Sequence, residues 1–403
     1  MTKSKNKIAY WFLFLPLFIH WTLPEGRWET LFTVFNISGF RYSWIVLFYL
    51  LFYLKFKGEI YYKNYTYLKR LFLLALILCP VSLILSNDAK YAIPLFFEAL
   101  PCLLLPIALL KRPLEKSGLH AIKQPFLVVY SIQVFLYFIS TFFGITIISY
   151  EFDDIGDFMF YRPVTFVGGP NSSSFFLFLG AAFYAENFIS KEKNRIAFLL
   201  IIFGIVVAGS CRGALLCMAV YLSSYLLRYF LSAHIWSKVI LLIMLGSFAL
   251  GSMRLGLFSD VLQRNETQTE IDDISNGRGW RIALVLEQTM RDSPIIGVGH
   301  GRVFSTSKDL LSQFNDKNFE YSKYHGAPHN AWVLILAEYG ILGAIFAIIG
   351  AVIIFCCLDY TNRLSYVVVV SMLIFMNTEA IMVQDDFWPL FWIMVNLSRK
   401  KLQ

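Results

Sequence analysis

The sequence predicts an all-α fold: a polytopic helical membrane protein with about twelve transmembrane helices and one large external loop bearing short helices. Three observations predict it. The first is composition. Of the 403 residues, 57% are hydrophobic and 17% aromatic, and only 15% are charged, where a soluble domain carries about 25%. A soluble globule of this size cannot cover that much apolar surface with so few polar groups, whereas a bilayer can take it. The second is the length of the apolar runs. They are long and unbroken, near the roughly 20 residues a helical span needs, where a β-barrel would show alternating runs of about 10. The third is the placement of the basic residues, in short loops between the runs, as in a membrane protein with a positive inner face. A soluble enzyme, a secreted disulfide scaffold and a disordered chain are excluded. The net charge of +8 is read as this loop bias, with no nucleic-acid partner expected.

Taken along the chain, the expected spans are 9–24, 38–54, 69–86, 91–110, 125–149, 173–189, 196–209, 213–231, 237–258, 329–357, 364–382 and 386–398. Lys3, Lys5 and Lys7 precede the first, and no small-residue cleavage site follows it, so it is read as an uncleaved span. With the N-terminus cytoplasmic, the inner loops collect most of the 35 lysines and arginines, including Lys55, Lys63, Arg70, Lys111, Arg112, Lys191, Lys193 and Arg195. The short outer loops are poor in basic residues, and one is acidic, with Glu151, Asp153, Asp154 and Asp157. Both termini are therefore expected in the cytoplasm. The chain divides into spans one to nine (1–258), an external loop (259–328) and the last three spans (329–403). Within the loop, Trp280–Met290 has apolar residues at helical spacing, Pro294 ends that pattern, and Ile295–Gly301 is a glycine-rich turn. The six cysteines show no metal-ligand spacing and lie mostly in apolar runs, as small core residues do.

Four features on the expected outer side could carry chemistry. Gly209-Ser210-Cys211-Arg212-Gly213 is a tight hairpin between two spans, with an arginine at the boundary and glycines that let a ligand approach the backbone. Asn276-Gly277-Arg278-Gly279-Trp280-Arg281 opens the loop helix. Arg278 and Arg281 stand three apart, on one helical face, where paired guanidiniums and a helix N-terminus make a phosphate or pyrophosphate site. His325-Gly326-Ala327-Pro328-His329-Asn330 lies where the loop re-enters the membrane, and His329 is placed in the first turn of the next span as a residue suited to general-base work. Tyr161–Asn171, with Arg162, Pro170 and Asn171, precedes the sixth span and reads equally as a plain turn-rich loop. A snorkelling anchor is the bland alternative for Arg212, and a solvated loop for Arg278. Glu98, inside an apolar run among prolines, is a further candidate acid. No metal site and no cofactor is expected, since the sequence holds no HExxH, Walker or GxGxxG pattern.

Pro294–Gly301 (PIIGVGHG) followed by His329–Gly343 (HNAWVLILAEYGILG) resembles the C-terminal signature of the O-antigen ligase/polymerase superfamily. Its form is a P-x-x-G-x-G turn, including Gly297 and Gly299 here, and then a segment with His-Asn, Glu and two glycines, matched by Asn330 and Glu338. Arg212, Arg162 and Pro170-Asn171 fall where the family also carries Arg and Pro-Asn. Trp280 stands two residues after Arg278, where the family has its tryptophan about four on, so either Arg278 or Arg281 is the matching arginine. The resemblance implies a metal-independent, inverting glycosyltransferase of the bacterial cytoplasmic (inner) membrane. It would move a glycan from undecaprenyl pyrophosphate to an acceptor at the outer face. The acceptor would be a second glycan repeat for a polymerase or lipid A-core for a ligase, with a chain-length regulator or other envelope-glycan proteins as further partners. The repeat-unit polymerase is the favoured reading and the ligase the alternative; a lipid-linked glycan transporter or flippase is the alternative of another class. In these terms Arg212, Arg278, Arg281 and Arg162 bind the donor pyrophosphate, and His329 is the base. Nine residues of continuous helix is about 900°, half a turn off, so Glu338 is assigned to packing or to a bond with another span, not to catalysis.

Overall fold

A computed structural model describes residues 2–22, 40–55, 63–85, 100, 103–109, 114–145, 163, 165–167, 170–209, 211–232, 282, 285–287, 289, 291, 293–299, 330–378 and 388–399. Helix dominates among them, with no named strand, and Leu358 and Arg399 form an isolated antiparallel bridge. The principal helices are α1 (Thr2–His20), α2 (Phe40–Lys55), α3 (Lys63–Leu85), α4 (Lys123–Phe143), α5 (Pro170–Phe188), α6 (Glu192–Ala208), α7 (Arg212–Ser232), α8 (Ala331–Cys357), α9 (Leu364–Val370) and α10 (Trp388–Leu397). A π-turn, Ser371–Phe375, and Met376–Thr378 continue α9. Each expected span except 91–110 and 237–258 coincides with one of these helices; 103–109 is helical, and 237–258 lies outside the described residues.

Two of the described helices are long and apolar enough to cross a bilayer: His120–Phe143, where a 3₁₀ turn runs into α4, and α8. The 27 residues of α8 exceed the roughly 20 that a helical span needs. Ile341, Ile345, Ile348 and Val352 recur at helical spacing along α8, and all are exposed. An apolar stripe of that length is unstable against water and natural against lipid.

The chain forms two compact units, residues 1–126 with 276–403, and residues 127–275. In the first, α1 packs on α2, α3 on α8, and α9 on α10. Its aromatic contacts include Trp21 edge-on to Phe126 at 6.1 Å and Phe72 edge-on to Trp392 at 4.9 Å. Asn396, buried on α10, accepts a hydrogen bond from the Leu114 amide at 2.8 Å and donates to the Leu109 carbonyl, so one amide satisfies the backbone where the chain leaves helix 103–109.

In the second unit, α5 is the central element. Almost every residue from Ser172 to Phe188 is buried, polar ones included, as expected of a helix enclosed by protein rather than lipid. Its polar end is held by Glu186, which is 6% exposed. One carboxylate oxygen accepts from Tyr221 at 2.8 Å and from Tyr225, and the other pairs with Arg195 at 3.1 Å. The side chains come from α5, α6 and α7, and Tyr221 and Tyr225 share a face because they stand four apart. Breaking a buried pair by removing one partner costs about 3–5 kcal/mol. Glu186→Ala should therefore lower the thermal unfolding midpoint of the detergent-solubilised chain well below that of Glu186→Gln, which keeps an acceptor for the tyrosines. Equal midpoints for the two variants would show that the network contributes nothing.

Candidate active site

The glycine-rich turn and α8 meet in the first unit. Asn330 is the N-cap of α8, with extended φ/ψ, and its side-chain oxygen accepts from the amides of Trp332 at 3.0 Å and Val333 at 3.1 Å. The motif asparagine thus has a structural role: it starts the helix. The described helix begins at Ala331, two residues after His329, and the expectation for His329 itself lies outside the described residues.

The expected continuous span 329–357 is corrected, because α8 is broken at Gly340, where φ is 67° and ψ −166°. The amides of Ile341 and Leu342, which in an unbroken helix would bond the carbonyls of Ala337 and Glu338, donate instead to the carbonyls of Pro294 at 2.9 Å and Ile295 at 3.2 Å. The freed carbonyls of Ala337 and Glu338 accept from the amides of Val298 at 2.9 Å and Gly299 at 3.0 Å. Segment 294–299 is inserted into the break, and these four backbone groups each keep a partner. The insertion requires glycine at two facing places. A Cβ on Gly297 (φ 74°) would overlap the backbone of Glu338 and Tyr339, and one on Gly340 would overlap the Ile295 carbonyl. Val285 and Val298 pack with Leu334 and Ala337 beneath it.

Glu338 is 2% exposed and lines an apolar cavity of about 190 Å³ whose walls include Leu68, Phe72, Ile296, Trp332 and Trp392. The cavity runs along α8 from Trp332 to Ile354. An elongated apolar space beginning at the motif segment suits a hydrocarbon chain better than a sugar.

The other motifs gather in the second unit. Arg212 is the first residue of α7, and the Cys211 carbonyl accepts the opening helical bond from Leu215 at 3.0 Å. The Cys211 thiol donates to Asn171 at the start of α5 at 3.3 Å. A Cβ on Gly209 would overlap the Tyr137 hydroxyl and stand 2.9 Å from Pro163. The chain neighbours of Arg162 and Arg212 are thereby packed together, and Asn171 lies beside them. Two helix N-termini, those of α5 and α7, open at this point, each with a partial positive charge that favours an anion. The backdrop is a set of hydroxyls to which the sequence analysis assigned no role: Tyr137 bonds Ser174 at 2.8 Å, and Ser173 holds both the Thr165 amide at 3.1 Å and the Thr165 hydroxyl at 3.0 Å. Their only sequence signal is the Ser-Ser-Ser run after Pro170-Asn171. Arg162, Arg278, Arg281, His300, His325, His329 and Glu98, and the side chain of Arg212, lie outside the described residues.

Residues 196–348 match a family model described as O-antigen ligase. The matched stretch takes in the Arg212 hairpin, Arg278 and Arg281, the inserted segment 294–299, and His329 through the break at Gly340. No curated protein matches the chain.

Proposed function

With the O-antigen ligase/polymerase superfamily as premise, supported by the match over residues 196–348, we propose that the chain is a glycosyltransferase of the bacterial inner membrane. It moves a glycan from undecaprenyl pyrophosphate to an acceptor at the outer face, as a repeat-unit polymerase. The single observation that carries the transferase reading is the match itself, because it takes in Arg212, Arg278, Arg281 and His329; Arg162 and Pro170-Asn171 lie ahead of it. Both termini lie in the cytoplasm and the loop 259–328 faces outward, so Arg212, Arg278 and His329 share one side of the bilayer. Twelve crossings complete this topology.

The reaction needs three things. An acceptor hydroxyl oxygen attacks the anomeric carbon from the face opposite the pyrophosphate, so the configuration inverts. The bond from that carbon to the pyrophosphate oxygen breaks, and its electron pair leaves with the lipid pyrophosphate. The hydroxyl proton passes to the imidazole of His329. Arg212 and Arg278, with Arg281 and Arg162 in support, hold the charge that gathers on the leaving group, and no metal is required for that task. The cavity along α8 accommodates part of the polyprenyl chain.

A ligase is favoured by the description of the matched family, and one experiment separates the two. In a deletion strain, loss of the polysaccharide ladder with one repeat unit retained on lipid A-core is the expected result. Loss of all attached glycan, with lipid-linked polymer accumulating, would make the protein a ligase. An unchanged glycan profile would remove both.

A further inference from the structure

We infer that segment 294–299 and the break at Gly340 form a clip that sets the position of His329–Asn330 against the arginine-bearing stretch ahead of Pro294, with Gly297 and Gly340 as its positioning residues. The inference rests on the transferase reading for what is positioned, and on the hydrogen bonds alone for the clip.

The segment lies between the two groups the reaction must bring together. Arg278 and Arg281 precede it in the chain, and Val285, closer still, packs in one cluster with Val298, Leu334 and Ala337. His329 and Asn330 precede the half-helix that ends at the break. Docking therefore ties 294–299 and Val285, which follow the arginines in the chain, to the half-helix that begins two residues after His329, by four backbone hydrogen bonds and one apolar cluster. None of the four bonds involves a side chain, so the register between the two parts is set by backbone geometry and leaves little play. The order of the bonds fixes it further: Pro294 and Ile295 present carbonyls, Val298 and Gly299 present amides, and the partners on α8 are consecutive pairs, Ile341–Leu342 and Ala337–Glu338. A shift of one residue would set donors against donors or place a side chain where Gly297 now lies against Glu338.

The same pattern defines the undocked state. If Gly340 adopted helical φ/ψ, Ile341 and Leu342 could return to Ala337 and Glu338 and close α8 into one helix, leaving 294–299 unbound. Gly340 holds the break open because its φ of 67° lies in a region that other residues avoid. Alanine there favours the closed helix.

Hydrogen–deuterium exchange on the purified full-length chain in detergent, together with transfer from a polyprenyl-pyrophosphate glycan, tests this. In the wild type the Val298 and Gly299 amides should exchange slowly. In Gly340→Ala they should exchange fast, while those of Ile341 and Leu342 stay slow, because each finds a partner within the helix. Transfer should fall about 10²-fold, the scale of a misplacement of about 1 Å. The loss should fall in kcat rather than in the donor KM, since the arginines are all still present. Gly297→Ala should release the same amides, and it carries the comparison if Gly340→Ala fails to accumulate. Ile348→Ala, on the exposed stripe, should change neither readout. Release of 294–299 with wild-type transfer overturns the positioning role, and continued protection in both glycine variants overturns the clip. A wild-type chain that transfers nothing strikes the transferase reading and the positioning role with it, while the exchange result still decides the clip.

Discussion

Arg212→Ala and Arg278→Ala should each reduce glycan transfer by about 10²–10³-fold, the loss seen when one preorganised donor to a developing negative charge is removed, with no fall in membrane abundance. For Arg212 the expectation follows from its place in the fold. It opens a 21-residue helix, whose N-terminus carries a partial positive charge. Asn171 meets the preceding residue, and Pro163 lies against Gly209 three positions earlier, so a second helix N-terminus and the chain beside Arg162 converge on the same point. The construction suits a diphosphate, which offers several anionic oxygens to several donors. Arg→Lys at either position should recover only part of the rate, because lysine is a point charge without the planar fork that engages two oxygens at once. Reconstituted vesicles loaded with a lipid-linked repeat unit provide the measurement. Wild-type transfer by Arg278→Ala would pass its role to Arg281. Wild-type transfer by Arg212→Ala would leave the α7 N-terminus as an interfacial anchor.

These two arginines also mark how far the sequence could be read. The helical, apolar character was plain from run length, and the motifs could be placed at the ends of runs because Gly, Pro and Asn cluster there. Their pairing was less accessible. Asn171 and Cys211 are 40 residues apart, and nothing local in either segment says that a thiol of one meets an amide of the other. The break at Gly340 was hidden for a different reason. A glycine inside an apolar helical run is usually a tolerated defect, and the partner that makes this one a break lies more than forty residues earlier in the chain. Glu186 had a visible clue in Tyr221 and Tyr225, four apart on α7, but its third partner sits on another helix. What stayed illegible were hydrogen bonds between distant segments, and those bonds shape the surroundings of Asn171, Cys211, Gly297 and Gly340.

The histidine prediction draws on both halves of that picture. His329→Ala should lower transfer by about 10²–10⁴-fold, the usual contribution of a general base, with donor binding retained because the arginines are intact. The residue stands immediately before Asn330, and two backbone bonds of 3.0 and 3.1 Å from Trp332 and Val333 fix that cap at the head of α8. A base must accept a proton, so only the neutral imidazole serves. The wild-type rate should therefore fall as acidification protonates the imidazole. His329→Ala should lose this acid limb as well as rate. Glu338 gives the contrast. It is buried against an apolar cavity, and its backbone carbonyl receives the Gly299 amide, a bond that does not depend on the side chain. Glu338→Gln preserves the shape and should keep activity wherever the protein folds. An unchanged rate and pH profile in His329→Ala would move the base to His325 or His300. A collapse of activity in well-folded Glu338→Gln would mean that the carboxylate takes part in the chemistry, and the assignment of Glu338 to packing would fall.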